Sequence, residues 1–469
     1  MSPTTSTLRA EASWARAPAN YALPVARGRI SLARGWLALA LCALVGSGLF
    51  SVLLVFARTP GLANHLPGGD FFRTALVVHV DLSVLVWFVA IAGLLWSVSK
   101  RAQGRASRSE WAALALAGAG ATSMAVAPFI APGAPIMANY VPVIESMPFI
   151  VGLLGVAAGG AVLVGHALFA GPGLGDGLDG AASLRFGLWC AAACGAIALF
   201  AFALSTALVP RSLESRAYWE ILFWGGGHAL QFTWTLLMLV GWLWLAQAAG
   251  AQPPLSARVT LLLFAIAFVA SFVTPWAYLA HEVTTVEHRE LHTWGMRVGG
   301  GLAIFPIALA VLLALVRQRS VTAEARPLRA ALVTSIGLFT AGGLIGLTIQ
   351  GSNVKIPAHY HGCIVGVTLA LMGLVYHLLP RLGYRAPQGR LAVAQPWCYG
   401  IGQLMHIIGL VWSGGYGVQR KVAGAEQVLR SPGEVFGMGL MGAGGAIAIV
   451  GGMLFAVVVW RAMRNGSTR

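Results

Sequence analysis

In the segment Ile356-Pro357-Ala358-His359-Tyr360-His361-Gly362-Cys363, two histidines stand two residues apart at the head of a long apolar run. A helix turns by about 100° per residue, so these side chains leave it about 200° apart. One metal cannot take both from a single helix face. Two metals on opposite sides of the same helix can take one each, and imidazole suits iron, copper and zinc alike. The spacing predicts two redox centres held side by side by one helix.

The elements that must position this pair are membrane helices. The 469 residues are 58% hydrophobic and 10% charged, with mean hydropathy +0.77. A soluble protein is nearer 25% charged, so the chain reads as an all-α integral membrane protein. Apolar stretches of about 20 residues give twelve spans. They begin near Gly35, Thr74, Trp111, Met147, Arg185, Trp219, Val259, Thr293, Arg329, His359, Gln395 and Val435. The division expected is a tail at 1–34, a twelve-span domain at 35–461 and a second tail at 462–469. About 21 of the 31 Lys and Arg fall in the tails and even-numbered loops, which places both termini in the cytoplasm by the positive-inside rule. The net charge of +16 is mostly this loop bias, and no nucleic-acid partner is expected. Residues 1–34 hold five Arg but no apolar stretch of signal-peptide length, so no cleaved leader is expected.

The five cysteines (Cys42, Cys190, Cys194, Cys363 and Cys398) form no C-x-x-C or C-x-x-C-H. Neither a zinc ribbon nor covalently attached haem c is written here. Cys190 and Cys194 read as small packing residues.

The topology sorts the histidines by depth. His79 in span two, His228 in span six, His281 at the end of span seven, and His359 and His361 in span ten share the outer third of the membrane. Ionisable residues buried in a membrane are functional candidates, and five at one depth predict a cofactor layer. His166 and His377 read as interfacial, His65 as a loop residue and His406 as structural. His288 and His292, spaced i, i+4 after span seven, are open to either a structural or a ligand reading.

With this set of residues the chain resembles subunit I of the haem-copper oxidase superfamily, closest in character to its nitric oxide reductase-like branches. The resemblance covers essentially all twelve spans. It implies two haems, a low-spin one between His79 and His361 and a high-spin one on His359 with an open face. It also implies a non-haem metal, iron or copper, opposite that face. His228, in Trp224-Gly225-Gly226-Gly227-His228, matches the family's span-six ligand. Span seven ends Ala280-His281-Glu282-Val283-Thr284-Thr285, where oxidases typically carry two adjacent histidines. His228, His281 and Glu282 are therefore the expected metal and catalytic set, with His288 or His292 as substitutes for Glu282. Two histidines and a carboxylate suit non-haem iron better than copper. Glu282 is equally readable as a solvated carboxylate.

Further departures concern protons. Oxygen-reducing members usually place a redox-active tyrosine where this chain has Phe232 or Pro275, and Tyr278 lies one turn away. Span eight lacks Lys, and carboxylates cluster outside: Asp81, Glu145, Glu220, Glu282, Glu287 and Glu290. Glu220 and Glu145 are the relay candidates, each also readable as an interfacial ion-pair partner. Arg420 and Lys421, just outside span eleven, resemble the family's basic pair that neutralises haem propionates.

These features favour reduction of two NO to N2O in a bacterial-type inner membrane. The electrons would come from a small outer-side partner subunit carrying copper or haem c, and the substrate would be a small gas. The alternative is an oxygen-reducing terminal oxidase, which copper and rapid O2 uptake would reveal. Remote alternatives are a twelve-span secondary transporter, for which broken-helix repeats are missing, and a haem-binding assembly or sensor protein without turnover.

Overall fold

A computed structural model describes residues 18–62, 71–100, 104–169, 177–423 and 426–464. His65, and residues 1–17 and 465–469 of the expected tails, lie outside the described residues.

Twelve long helices follow in chain order: α1 Ile30–Arg58, α2 Phe71–Ser99, α3 Arg108–Ile130, α4 Met147–Phe169, α5 Gly180–Leu208, α6 Ser215–Ala248, α7 Ala257–Ala280, α8 Val286–Arg317, α9 Ala325–Leu347, α10 Lys355–Leu378, α11 Arg390–Gly415 and α12 Pro432–Arg464. Eleven of these segments meet the length and apolarity of a membrane span, with α11 as the remaining helix. The twelve-helix expectation stands. Helix α1 starts at Ile30 and α12 runs to Arg464, each reaching a few residues into an expected tail. One addition is a small antiparallel hairpin, β1 Ala134–Ile136 and β2 Val143–Glu145, with Pro135 opposite Ile144. It connects α3 to α4 on the face opposite the termini.

The most enclosed helices are α6 and α10, most of whose residues are buried. They carry His228 and the His359–His361 pair, so the candidate chemistry sits at the centre of the bundle. Helix α10 packs on α9, α6 and α11, and α2 packs on α1. Close approach rests on glycine. Without a Cβ, Gly362 of α10 lets its backbone meet Gly342 of α9, where an added Cβ would lie 2.4 Å from the Gly342 Cα. Gly402, Gly409 and Gly444 do the same between α11 and α12. Small residues at helix contacts are how membrane helices gain packing without a hydrophobic driving force.

Two helices are interrupted where the site is built. Helix α2 widens to a π-helical stretch at Asp81–Val86, directly after His79. Ser83 Oγ donates to the His79 carbonyl at 2.6 Å, taking up an acceptor beside this irregularity. Helix α7 breaks at Ser271–Phe272, four residues before Pro275, whose ring clashes with the carbonyl at i−4 and which has no N–H to give. On the face bearing the termini, Glu110 caps α3 through Ser107 and is held by Arg29 and by Lys100 at 2.9 Å. One carboxylate thus stitches α1, α2 and α3.

Candidate active site

Helix α8 starts at Val286, seven residues before the apolar run suggested. Thr285 caps it, its hydroxyl accepting from the His288 N–H at 3.3 Å. That polar first turn brings His288 and His292 to α6. The ring centroids of His228 and His292 lie 5.4 Å apart, and those of His288 and His292 lie 4.7 Å apart. All three are buried, at 4%, 1% and 0% exposure for His228, His288 and His292.

The hydrogen bonds settle which nitrogens are available. His228 Nδ1 lies 2.8 Å from the Trp224 carbonyl and His292 Nδ1 lies 2.8 Å from the His288 carbonyl. A carbonyl only accepts, so each Nδ1 carries the proton and each Nε2 keeps a bare lone pair. His292 Nε2 and both nitrogens of His288 are buried with no partner. Leaving such groups unpaired costs about 1–3 kcal/mol each, so the cluster is polar in a way that packing alone does not explain. A metal ion would satisfy all three rings, and the tie of each Nδ1 to a carbonyl is the usual support of a ligating imidazole. Among the described residues no three such side chains already enclose a common point. His228 Nε2 accepts from the Tyr140 hydroxyl at 2.9 Å.

Of the expected trio of His228, His281 and Glu282, His228 is joined by His288 and His292, and His281 lies close enough to act on His288. Helix α7 ends at Ala280, and His281 follows with extended backbone, φ −140° and ψ 146°. Glu282 therefore does not continue the helical face. It is exposed in the turn, its carbonyl capped by the Thr285 hydroxyl at 2.8 Å. His288, the expected substitute, and His292 occupy the cluster.

On α10 the two histidines do diverge. His359 faces α9, its Nδ1 donating to the Gly342 carbonyl at 2.8 Å, and Gly346 leaves room for its ring. His361 faces α11, with its ring 4.7 Å from that of His406. His79 lies on this second side, near both His361 and His406. His79 Nδ1 lies 3.0 Å from the Ser47 carbonyl and 2.9 Å from its hydroxyl. His79 and His359 thus also have Nδ1 engaged and Nε2 free. Asp81 does not belong to an outer carboxylate cluster. It is 1% exposed, and neither oxygen has a partner.

Above α10 the hairpin meets the basic pair. Arg420 Nη1 donates to the Tyr360 hydroxyl at 2.9 Å and to Asn139 Oδ1 at 3.1 Å. Lys421 Nζ donates to the Met137 carbonyl and to Asn139 Oδ1 at 3.3 Å. Glu220 receives the Asn139 side-chain amide and, at 3.1 Å, its backbone N–H. Burial, with Arg420 beside it, holds the Lys421 amine down to about 8. Lys421 is also the one non-glycine residue with positive φ among the described residues. Glu145 stands apart: it is exposed and bonded to Ser215 and, at 3.1 Å, to the Trp219 indole. Of the two relay candidates, Glu220 joins the network over the histidines and Glu145 closes a surface contact.

The family model for cytochrome c and quinol oxidase polypeptide I matches residues 31–460. The chain belongs to that family. Its members are membrane oxidoreductases that bind haems and a further metal. An uncharacterized protein of Rickettsia prowazekii (strain Madrid E) is 27% identical over 91% of this chain and 94% of its own length. A second uncharacterized protein, from Aquifex aeolicus (strain VF5), is 27% identical over 75% of this chain and 86% of its own. The solved structure of a haem-copper terminal oxidase dimer superposes with TM-score 0.75 at 16% identity, covering 95% of this chain and 86% of that one. The fold is that of haem-copper oxidase subunit I.

Residues that sequence reasoning left out are Tyr140 and Asn139, delivered by the hairpin, and His406, read as structural but placed against His361. His288 and His292 had a signal, their i, i+4 spacing on one helix face.

Proposed function

We propose that this subunit reduces O2 at a site built from His228, His288 and His292, with His359 on the adjoining helix α10. The observation that carries this reading is the cluster of three imidazoles with no carboxylate among them. Such a donor set suits copper, whereas a two-histidine, one-carboxylate set would favour iron, and the exposure of Glu282 in the turn after α7 supports the first. Within the family, His359 would hold the high-spin haem, and His79 with His361 the low-spin haem. Arg420 and Lys421 would pair with propionates, since buried carboxylates need charged partners. When bound, these groups supply electron transfer and Lewis acidity.

The chain's own part is to fix spacing and exclude water. Nδ1-to-carbonyl ties orient four imidazoles, of His79, His228, His292 and His359. Helix α10 separates the two haem positions by its own width. Glu220, anchored to Asn139, offers a carboxylate on the face opposite the termini, the outer side by the distribution of Lys and Arg. Electrons would enter from that side, from a partner carrying copper or haem c.

Reduction of NO is the second reading. It is favoured by Phe232 in place of the usual tyrosine and by the outer carboxylate Glu220.

Quantifying copper, non-haem iron and haem in the purified subunit, with O2 and NO consumption, tests the proposal. One copper retained in Glu282→Gln and lost in His288→Ala and His292→Ala, with O2 uptake in the parent, is expected. Non-haem iron lost in Glu282→Gln, or NO turnover without O2 turnover, overturns it.

A further inference from the structure

The connection between α3 and α4 crosses the mouth of the bundle and drives one side chain into the histidine cluster. Tyr140 packs edge-on against Trp224, with ring centroids 5.7 Å apart, and lies 4.7 Å from the ring of His228. Helix α6 makes room for it. At Gly227 an added Cβ would sit 2.2 Å from the Tyr140 ring, so a residue other than glycine would expel the phenol. The neighbouring Asn139 is pinned by Glu220, Arg420 and Lys421, which fixes the backbone that carries Tyr140.

Tyr278 is the other phenol at the cluster, 4.8 Å from the His288 ring. Its hydroxyl is already engaged by Ser205 Oγ at 2.6 Å and the Ala201 carbonyl at 3.2 Å, both on α5. Tyr140 instead spends its hydroxyl on Nε2 of His228, the lone pair a metal ion would take. Metal and hydroxyl cannot share that lone pair.

We infer that Tyr140 is the active-site hydroxyl of this protein: it donates to His228 Nε2 while that nitrogen is free, and to the small diatomic ligand bound in the cluster once the nitrogen is coordinated. The O–H bond stays intact, and only the acceptor changes. The inference rests on the placement of the metal at His228, His288 and His292, and it holds for O2 or NO as substrate.

The test uses carbon monoxide as the bound diatomic in the reduced, haem- and metal-loaded protein. The infrared C–O stretch is recorded in H2O and D2O. The parent is expected to show a band that moves on deuteration. In Tyr140→Phe the band should shift and lose its isotope sensitivity, while in Tyr278→Phe it should stay unchanged. Gly227→Ala, which keeps the phenol but displaces it, should behave as Tyr140→Phe and serves if that variant assembles poorly. An unchanged band and isotope effect in both Tyr140→Phe and Gly227→Ala overturns the inference. Copper titration gives a second reading: removing the competing hydroxyl should raise affinity several-fold, and a several-fold fall would make Tyr140 a structural prop. Since neither readout involves turnover, failure of O2 reduction shows separately, in the gas-consumption and metal assays.

Discussion

Arg420 donates to the hydroxyl of Tyr360 at 2.9 Å, and Tyr360 is the residue between the two diverging histidines His359 and His361. The guanidinium also reaches Asn139 at 3.1 Å and Ser352 at 3.3 Å. Tyr360→Phe removes one of three acceptors, and a hydrogen bond of this kind is worth about 0.5–1.5 kcal/mol. Its thermal unfolding should shift slightly with haem content intact. Arg420→Gln removes the charge as well and should lower retention of haem on purification. Full retention with unchanged haem reduction potentials in Arg420→Gln would dismiss the propionate role.

Lys421 makes the haem-free protein sensitive to pH. Its amine is held down to about 8 by burial and by Arg420, against an unfolded value near 10.4. Between those values the unfolded chain binds more protons than the folded one, so stability rises with pH across that window. Below about pH 8 both states are charged and the cost of burying the charge is constant. Compared with Lys421→Gln, the parent should therefore gain thermal stability from pH 8 to 10. An anion bound beside the amine favours its charged form, so haem loading should flatten the difference. A parallel pH dependence in parent and variant, without haem, rules this out.

The legible parts of this protein were those set by local geometry. The divergence of His359 and His361 follows from helical phase alone, and the faces α10 presents to α9 and α11 bear it out. His79 and His228 stood out as ionisable residues deep in apolar runs. The exposure of Glu282 is not legible in the sequence, because the stop of α7 at Ala280 depends on the turn that follows it. The start of α8 was hidden for a related reason: Glu287, Arg289 and Glu290 make its first turns polar, so the apolar run began only at Thr293. Tyr140 and Asn139 were invisible because a hairpin's landing place is a tertiary fact. The Gly225-Gly226-Gly227 run is not a break, and α6 runs through it.

Those three glycines each admit a different ring. An added Cβ would meet Tyr278 at Gly225, Phe202 at Gly226 and Tyr140 at Gly227, all within 2.5 Å. Alanine gains up to about 1 kcal/mol of helix propensity over glycine, but overpacking costs about 1–3 kcal/mol, so each alanine variant should be destabilised. Gly226→Ala should do so without altering metal content, since Phe202 touches no histidine of the cluster among the rings described. Loss of copper in Gly226→Ala alone would mean that α6 shifts as a body and that the glycines are not local clearances.

His406 supplies the last test, on the opposite side of α10. Its Nδ1 donates to the Met441 carbonyl of α12 at 3.0 Å, which leaves Nε2 a bare acceptor in a ring 4.7 Å from that of His361. Gly445 of α12 leaves the space in which this imidazole sits. A lone pair this close to a ligating imidazole acts on it electrostatically and raises its basicity, which stabilises the oxidised metal. His406→Leu keeps the volume and removes the acceptor. The low-spin haem should then remain bound through His79 and His361 but titrate at a higher reduction potential, read from its own absorption band. The high-spin haem on His359 faces α9 and should keep its potential. Equal shifts at both haems would point to a general loosening of the bundle, and an unchanged low-spin potential would return His406 to a packing role.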